Sequence, residues 1–185
     1  KAKNKKEADL LINPVKKEIN DLLGDAVFGE DEETLEKNIG GLLSSSNNTI
    51  STIENISGGA ISDAFQNAAS NLYSQGITIG AGSNIKNLFD KYEVEFDESD
   101  PIKIALSQAY LIKKISSSDL GLSYFGVISG DLKVENLGKG ESYFAIVSDS
   151  GYDTKHIRSA GIGTPDKRRA TMNALSLTRK FLITK

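Results

Sequence analysis

Hydrophobic and polar positions follow different periods along the chain, and the changes of period predict strands that alternate with helices. Thr49–Ile53 alternates and is rich in β-branched residues, as strands are, whereas the apolar residues of 60–65 recur at helical spacing. A strand therefore runs through a short turn into a helix that ends near Leu72. The other predicted helices lie at 8–23 (one or two, the stronger opening at Pro14), at Glu32–Leu43 with Asp31 as its cap, in a short stretch ending at Leu88, from Pro101, and from Pro165 with Thr164 as its cap. The other predicted strands are Gln75–Ile79, Leu120–Ile128, Ser142–Ser148 and Tyr152–Ser159.

This order of elements predicts an α/β fold, a single domain with three layers, α/β/α. We expect a mixed, mostly parallel sheet, because strands separated by helices pair in parallel, whereas the last two strands are close enough to form a C-terminal hairpin. A chain of 185 residues is long enough to bury the core of one such domain.

Composition argues against several classes of protein. The chain has no cysteine and one histidine, His156, so we expect no disulfide framework, no metal site and no histidine-dependent triad. No apolar run approaches the roughly 20 residues of a membrane-spanning helix and no signal peptide precedes the fold, which favours a cytoplasmic protein without a membrane partner. The net charge of −3 argues against nucleic acid as a partner.

The turn after the first strand is where we expect any chemistry. Asn55 or Ser57 can cap the following helix, and Gly58 and Gly59 let the backbone turn tightly and leave the first N–H groups of the helix open. These donors and the helix dipole favour an anion or a developing oxyanion. A plain strand-to-helix connection would use the same residues, so the motif alone leaves both interpretations open.

Charge is distributed unevenly along the chain. Acidic residues gather at 25–36 and 90–100, whereas Lys167, Arg168 and Arg169 fall in the first turn of the last predicted helix. Cations at a helix N-terminus oppose the macrodipole. They could hold an anion such as a nucleotide phosphate or pair with the acidic residues of 93–100, and the sequence favours the pairing.

Three segments resemble the C-terminal domain of the CinA family, the competence/damage-inducible proteins. GDAVFGEDEETLEKNIGGLL at 24–43 resembles the family segment G-x-x-[VI]-F-G-x-D-D-E-T-L-E. SDLGLSYFGVISG at 118–130 is similar to A-D-L-G-L-A-V-T-G-I-A-G, and GTPDKRRATMNAL at 163–175 is similar to the family's R-x-x-A-x-x-x-A-L helix. The resemblance implies a CinA C-terminal-like domain at 24–185, with 1–23 as a linker helix from an N-terminal domain that this chain lacks.

The enzymatic members of that family are nicotinamide-nucleotide amidohydrolases, and the resemblance implies where their active-site residues fall. The family's T-A-E-S-C-T-G-G corresponds to 52–59, which keeps Glu54 and both glycines but places Asn55 at the nucleophilic serine and Ser57 at a threonine. From the family's Y-S-N-E-A-K, Lys86 survives and the tyrosine does not. A carboxamide has no hydroxyl with which to form an acyl intermediate, so Asn55 cannot replace the serine.

Two sets of candidate residues follow from the resemblance. Each catalytic candidate also has a structural interpretation: Ser57 as a helix cap, Lys86 as a solvated lysine, and Glu54 as a hydrogen-bond partner of the adjoining turn. The catalytic candidates are Glu54, Asn55, Ser57 and Lys86, and the nucleotide-binding candidates are Gly58, Gly59, Gly82, Ser83, Gly126 and Arg168.

Our first hypothesis is a catalytically impaired relative, a pseudoenzyme that acts as a nucleotide-binding or interaction module. The alternative is an active amidohydrolase that converts nicotinamide mononucleotide and water to nicotinate mononucleotide and ammonia with Ser57, or a water activated by Glu54 and Lys86, in place of the serine. A third hypothesis is a domain kept for assembly. The resemblance implies nicotinamide mononucleotide or a related nucleotide as ligand, a homodimer, and no cofactor.

Overall fold

The structure, a computed structural model, describes residues 2–80, 85–126, 140–158 and 164–184. Helices and strands alternate along these residues, as the pattern of hydrophobic positions predicts. In chain order the elements are α1 (Lys5–Leu23), α2 (Leu35–Ser46), β1 (Ile50–Glu54), α3 (Ala60–Ala68), β2 (Tyr73–Thr78), α4 (Lys86–Lys91), α5 (Pro101–Ser116), β3 (Leu120–Gly126), β4 (Glu141–Ser148), β5 (Gly151–Arg158) and α6 (Thr164–Ile183).

The five strands form one mixed sheet in the order β2-β1-β3-β4-β5. β1 pairs in parallel with β2 on one side and with β3 on the other. β4 and β5 extend the sheet as an antiparallel hairpin closed by the two residues Asp149 and Ser150. The predicted α/β class, the mixed and mostly parallel sheet and the C-terminal hairpin are confirmed.

Successive side chains of the strands point to opposite faces of the sheet. Helices cover both faces, which gives the three layers. Ile50, Leu122 and Phe144 face α2, α3 and α6 in the larger core cluster. Ile53 and Ala145 face α5 in the smaller clusters on the other side. Because both faces are covered, every residue of β1 is buried, and β1 is the central support of the candidate site.

Some element boundaries differ from the predicted ones for local reasons. α2 begins at Leu35 rather than Glu32, because Asp31 has a φ of 49° and lies in a turn instead of capping the helix. α3 ends at Ala68 rather than near Leu72, since the Leu72 carbonyl accepts a hydrogen bond from the Ile50 N–H at the start of β1. The predicted end of the third strand at 127–128 lies outside the described residues.

The chain divides into two compact units, Lys1–Thr34 and Leu35–Lys185. The first holds α1, which ends at Gly24 with a φ of 50°, and a returning segment; the second holds the sheet and the other helices. The assignment of 1–23 as a linker helix stays a prediction. Within the described parts of both units, no helix combines the length and the apolar character that crossing a membrane requires.

Candidate functional site

The candidate site lies where β1 and β3 end side by side. From β1 the chain enters α3 on one face of the sheet, and it reaches β3 through α5 on the other face. In the strand order β2-β1-β3 the second strand lies on one side of β1 and the third on the other, and open α/β sheets bind ligands in the crevice at the carboxyl ends of the strands where the order reverses in this way. Glu54 and Asn55 reach this point from β1, and Gly126 reaches it from β3.

Glu54 is fully buried and serves as the cap of α3. Its carboxylate accepts hydrogen bonds from the N–H groups of Ile61 (3.1 Å) and Ser62 (2.8 Å), from the Ser62 hydroxyl (2.6 Å) and from the Ser57 hydroxyl. The residue at the N-cap position itself, Gly59, has no side chain to do this. Among the described residues the carboxylate is thus engaged with the adjoining turn and helix, the structural interpretation of Glu54.

Asn55 uses its side chain to join the ends of β1 and β3. Its Nδ2 donates to the Gly126 carbonyl (3.1 Å), and its Oδ1 accepts from the Gly126 N–H (3.3 Å). The Asn55 N–H also donates to the Tyr124 carbonyl (3.3 Å). Asn55, the residue that the resemblance places at the family's nucleophile, therefore bridges the crevice by bonding the main chain of Gly126.

Ser57 is the nearest hydroxyl to that position along the sequence, yet it does not face solvent. It is 1% exposed, and its hydroxyl donates to the buried carboxylate of Glu54. A nucleophilic serine needs a path for substrate and a base that accepts its proton in reach of that path. The burial of Ser57 favours its structural interpretation, a hydroxyl that completes the cap of α3.

Gly58 and Gly59 make the turn into α3 with left-handed backbone angles. Their φ values are 67° and 91°, which glycine adopts without the steric cost that a side chain would add. Lys167, in the first turn of α6, places its Nζ 3.3 Å from the point where a Cβ on Gly58 would stand. The turn therefore has an exposed ammonium beside it, at the end of α3 where the dipole favours anions.

The basic cluster at the start of α6 contributes Lys167 to this turn, and Arg168 is exposed next to it. No carboxylate among the described residues pairs with either cation. The sequence favoured pairing of the cluster with the acidic residues of 93–100, but the structure assigns other partners to that loop. Lys86 pairs with Glu98 at 2.5 Å, Lys103 pairs with Asp97 at 2.9 Å, and Lys114 donates to the Glu93 carbonyl at 3.2 Å.

Lys86 is therefore an exposed, paired lysine at the start of α4. The same loop holds Asp97, whose pKa is lowered to about 2, chiefly by the hydrogen bond from the Ser99 hydroxyl and also by Lys103. Gly82 and Ser83 lie outside the described residues.

The basic cluster was visible in the sequence, but only the packing of α6 against α3 distinguishes Lys167 from its neighbours.

A partly buried network of hydroxyl groups behind Glu54 had no signal in the sequence. Thr52 Oγ1 lies 2.6 Å from the Tyr73 hydroxyl and 2.9 Å from Ser62 Oγ, which in turn donates to Glu54. Burial raises the pKa of Tyr73, although its hydrogen bonds with Ser62 and Thr52 act in the opposite direction. These hydroxyl groups satisfy one another's hydrogen-bonding capacity beside β1, and they connect the first turn of α3 to β2.

Cavities elsewhere in the described residues are less suited to binding a nucleotide phosphate. One of about 630 Å³ lies between the acidic loop, α5 and the β4–β5 turn, where its lysines already have partners, including Lys113 with Asp149 at 2.7 Å. Another of about 390 Å³ lies between α2 and the end of α3. The turn at Gly58 and Gly59 therefore stays the candidate place for an anionic ligand. The hydroxyl of the exposed residue Thr78 also lies beside it, 3.8 Å from the point where a Cβ on Gly59 would stand.

Comparison with known proteins identifies the family from nearly the whole second unit. A family model described as the CinA C-terminal domain matches residues 32–182. A competence-damage inducible protein of Clostridium kluyveri is 30% identical over 192 residues, covering 99% of this chain and 46% of the relative. A CinA-like protein of Kosmotoga olearia is 29% identical, with 99% and 45% covered. The chain thus spans about half the length of the curated relatives it matches.

Solved structures share the fold at low sequence identity. A CinA superfamily protein from Klebsiella pneumoniae has a TM-score of 0.68 and 16% identity, covering 82% of this chain and 97% of that one. A competence/damage inducible protein from Agrobacterium tumefaciens has a TM-score of 0.64 and 18% identity, covering 85% and 97%. At these identities the likeness establishes the architecture alone.

Proposed function

Because this chain belongs to the CinA C-terminal domain family, we propose that it is a nucleotide-binding or interaction module related to the nicotinamide-nucleotide amidohydrolases, with impaired catalysis. One observation carries the proposal. The side chain at the position of the family's serine is the amide of Asn55, and it is hydrogen-bonded to Gly126 at 3.1 Å and 3.3 Å. It has no hydroxyl to attack a carboxamide, and it occupies the crevice where attack would occur.

The same geometry supports retention of an anion site. The left-handed turn at Gly58 and Gly59, the N-terminus of α3 and the exposed ammonium of Lys167 converge on one point. Glu54 already accepts from the N–H groups of Ile61 and Ser62, so the main-chain donors for a phosphate oxygen would be the N–H groups of Gly59 and Ala60, with Lys167 as the cation. Nicotinamide mononucleotide, which carries a phosphate and a carboxamide, is the ligand to test first.

The first measurement is ammonia release from nicotinamide mononucleotide by the purified chain, together with a thermal-shift titration using the same nucleotide. We expect no turnover above background and a rise in melting temperature with nucleotide concentration, since a ligand that binds the folded state stabilises it. Lys167→Ala should weaken binding by about fivefold, the effect of roughly 1 kcal/mol from an exposed charged contact. Lys114→Ala, which removes a lysine on the other face of the sheet, should leave binding unchanged.

Asn55→Ser and Asn55→Ala separate loss of the nucleophile from loss of the pocket. If only the missing hydroxyl limits the reaction, Asn55→Ser gains turnover and Asn55→Ala does not. Turnover by the unmodified chain would overturn the proposal in favour of an active amidohydrolase with another nucleophile. If neither turnover nor a thermal shift is observed, nicotinamide mononucleotide is not a ligand of this chain, and a role in assembly is the remaining hypothesis.

A further inference from the structure

Strand β5 ends the sheet, and one of its two edges has no strand beside it among the described residues. It pairs with β4 in one unbroken register from Gly151 to Arg158, whereas the pairing of β2, at the opposite edge, contains an irregularity. Free N–H and C=O groups along an edge are a template for another strand, and natural edge strands are commonly short or irregular for that reason. The long and regular edge of β5 is therefore a candidate interaction surface.

The hairpin determines which main-chain groups face this edge. A two-residue turn joins β4 to β5, and the residues that flank such a turn exchange both of their main-chain hydrogen bonds. Since bonded and non-bonded pairs alternate along an antiparallel ladder, the N–H and C=O groups of Tyr152, Thr154 and His156 point away from β4. The Thr154 N–H donates instead to the carboxylate of Asp153 at 2.8 Å. A further strand can bond to these groups.

Lys155 gives a second observation, an ammonium that lacks a counterion. Its side chain lies on the α6 side of β5, where Lys180 pairs with Asp153 at 3.1 Å. The side chain is half-buried, and among the described residues no carboxylate or other acceptor bonds its ammonium. Burial, and to a smaller extent the charge of Lys180, lowers the pKa of Lys155. A carboxylate brought from another chain would stabilise this ammonium.

The charges of β5 select one register for pairing with a second copy of the same strand. A two-fold axis at Thr154 places Lys155 opposite the second copy's Asp153, on the α6 side, and does so on both sides of the axis. Moving the axis by one residue opposes either Asp153 or Lys155 to itself, and like charges directly opposite each other are destabilising. Moving it further leaves both residues without a charged partner in β5. Only the register centred on Thr154 pairs opposite charges.

The other face of β5 favours the same register. Tyr152 is 60% exposed, and in this register it lies opposite the second copy's His156. The His156 ring stacks on Tyr143, with the ring centroids 4.5 Å apart. Cross-strand aromatic pairs stabilise antiparallel sheets, so an aromatic contact forms on one face while the charges pair on the other.

We propose that β5 pairs antiparallel with β5 of a second copy of this chain, about an axis at Thr154, so that the two sheets become continuous. The Thr154 N–H then bonds to the second copy's Thr154 carbonyl. The Asp153 oxygen that this N–H leaves accepts a hydrogen bond from the second copy's Lys155. The pairing does not depend on nucleotide binding and is measured without nucleotide.

Sedimentation equilibrium of the full chain and of charge variants tests the pairing, after circular dichroism has shown that each variant folds. One pair of strands forms a small interface, so we expect a reversible dimer with a dissociation constant on the order of 10 µM. Lys155→Glu and Asp153→Lys should each weaken self-association at least about tenfold, because like charges then face each other. Lys91→Glu, on α4 near the opposite edge of the sheet, should associate like the unmodified chain.

A mixture of the two charge variants makes the test specific to this register. The strand that is acidic at both positions then faces the strand that is basic at both, so the equimolar mixture should dimerise although neither variant does so alone. An unmodified chain that stays monomeric at about 100 µM, or a mixture that associates no better than its components, would overturn the proposal.

Disulfide trapping locates the axis, and the absence of cysteine from the chain makes each introduced thiol unambiguous. Thr154→Cys should cross-link with itself, since directly opposite residues have Cα atoms within the range that a disulfide spans. Tyr152→Cys should not, because its counterpart lies four residues along the strand, about 13 Å away. Cross-linking of Tyr152→Cys with itself, or none by Thr154→Cys, would overturn the register.

Discussion

At the scale of single residues, the buried carboxylate of Glu54 fixes the first turn of α3. Glu54 lies at the end of a buried strand and receives four hydrogen bonds from Ser57, Ile61 and Ser62. The donors include two N–H groups in the first turn of α3, where a negative charge is also favoured by the helix dipole. The cap of α3 is thus supplied by a side chain of β1 and not by a residue of the turn that precedes the helix.

Glu54→Gln should destabilise the second unit by about 2–4 kcal/mol, because the amide NH₂ would face donors and the charge that they stabilise would be lost. Ser62→Ala removes one member of the same network and should cost about 1 kcal/mol. Urea denaturation monitored by circular dichroism measures both. Equal stabilities of the two variants would contradict the role of the carboxylate charge.

Residue roles could be predicted from the sequence only where the chemistry of the side chain decides them. That Asn55 cannot act as a nucleophile follows from its amide, and a structural alternative for Ser57 and Glu54 was evident from their place before a helix. The partner of Lys86 could not be predicted, since Glu98 is twelve residues away in the sequence and meets it only after the loop folds back. Lys167 approaches Gly58 only because α6 packs on α3.

At the scale of elements, a side-chain clamp aligns the beginnings of β1 and β3. Asp119 accepts hydrogen bonds from the Thr49 N–H (2.8 Å) and hydroxyl (2.6 Å), while its own N–H donates to Thr49 Oγ1 (3.0 Å). These bonds, the Thr49 hydroxyl foremost, lower the pKa of Asp119. The clamp fixes the parallel register that brings the other ends of these strands to the candidate site.

Asp119→Asn should cost about 1 kcal/mol at pH 7, a figure reduced because the carboxylate is exposed to solvent. A lowered pKa in the folded state means that the contribution is present above the unfolded value of about 3.9 and is lost as pH falls through the folded value. The stability difference between the two proteins should therefore shrink below about pH 4 in urea titrations. A pH-independent difference for Asp119→Asn would contradict the clamp.

The elements themselves were largely predictable because their periods are clear. The strand at 49–53, the hairpin and the helix from Pro101 all appear within a residue or two of the predicted limits. The misplaced boundaries depend on turns: Asp31 takes a left-handed backbone angle, and Leu72 is held by β1. Neither interaction leaves a periodic pattern in the sequence.

At the scale of the whole molecule, the two units differ in how much they bury. The second unit contains a fully buried β1 between two packed faces, whereas the helix of the first buries no residue. Local opening free energies follow burial, so α1 should open more readily than the strands of the second unit.

Hydrogen exchange should report this difference. Amides of α1 should exchange within about tenfold of the unprotected rate, whereas those of β1 and β3 should be slowed by about 10⁴ or more. Equal protection of α1 and β1 would contradict this expectation.

The bonding of Asn55 has one more consequence for any ligand of the crevice. Its side chain ends in a carboxamide, the same group that nicotinamide carries, and that group already satisfies both the N–H and the carbonyl of Gly126. An external amide that uses Gly126 must displace a tethered competitor whose effective concentration is set by the chain itself. If the proposed nucleotide binds in this crevice, Asn55 competes with its carboxamide, and we expect the phosphate rather than the amide to hold the ligand.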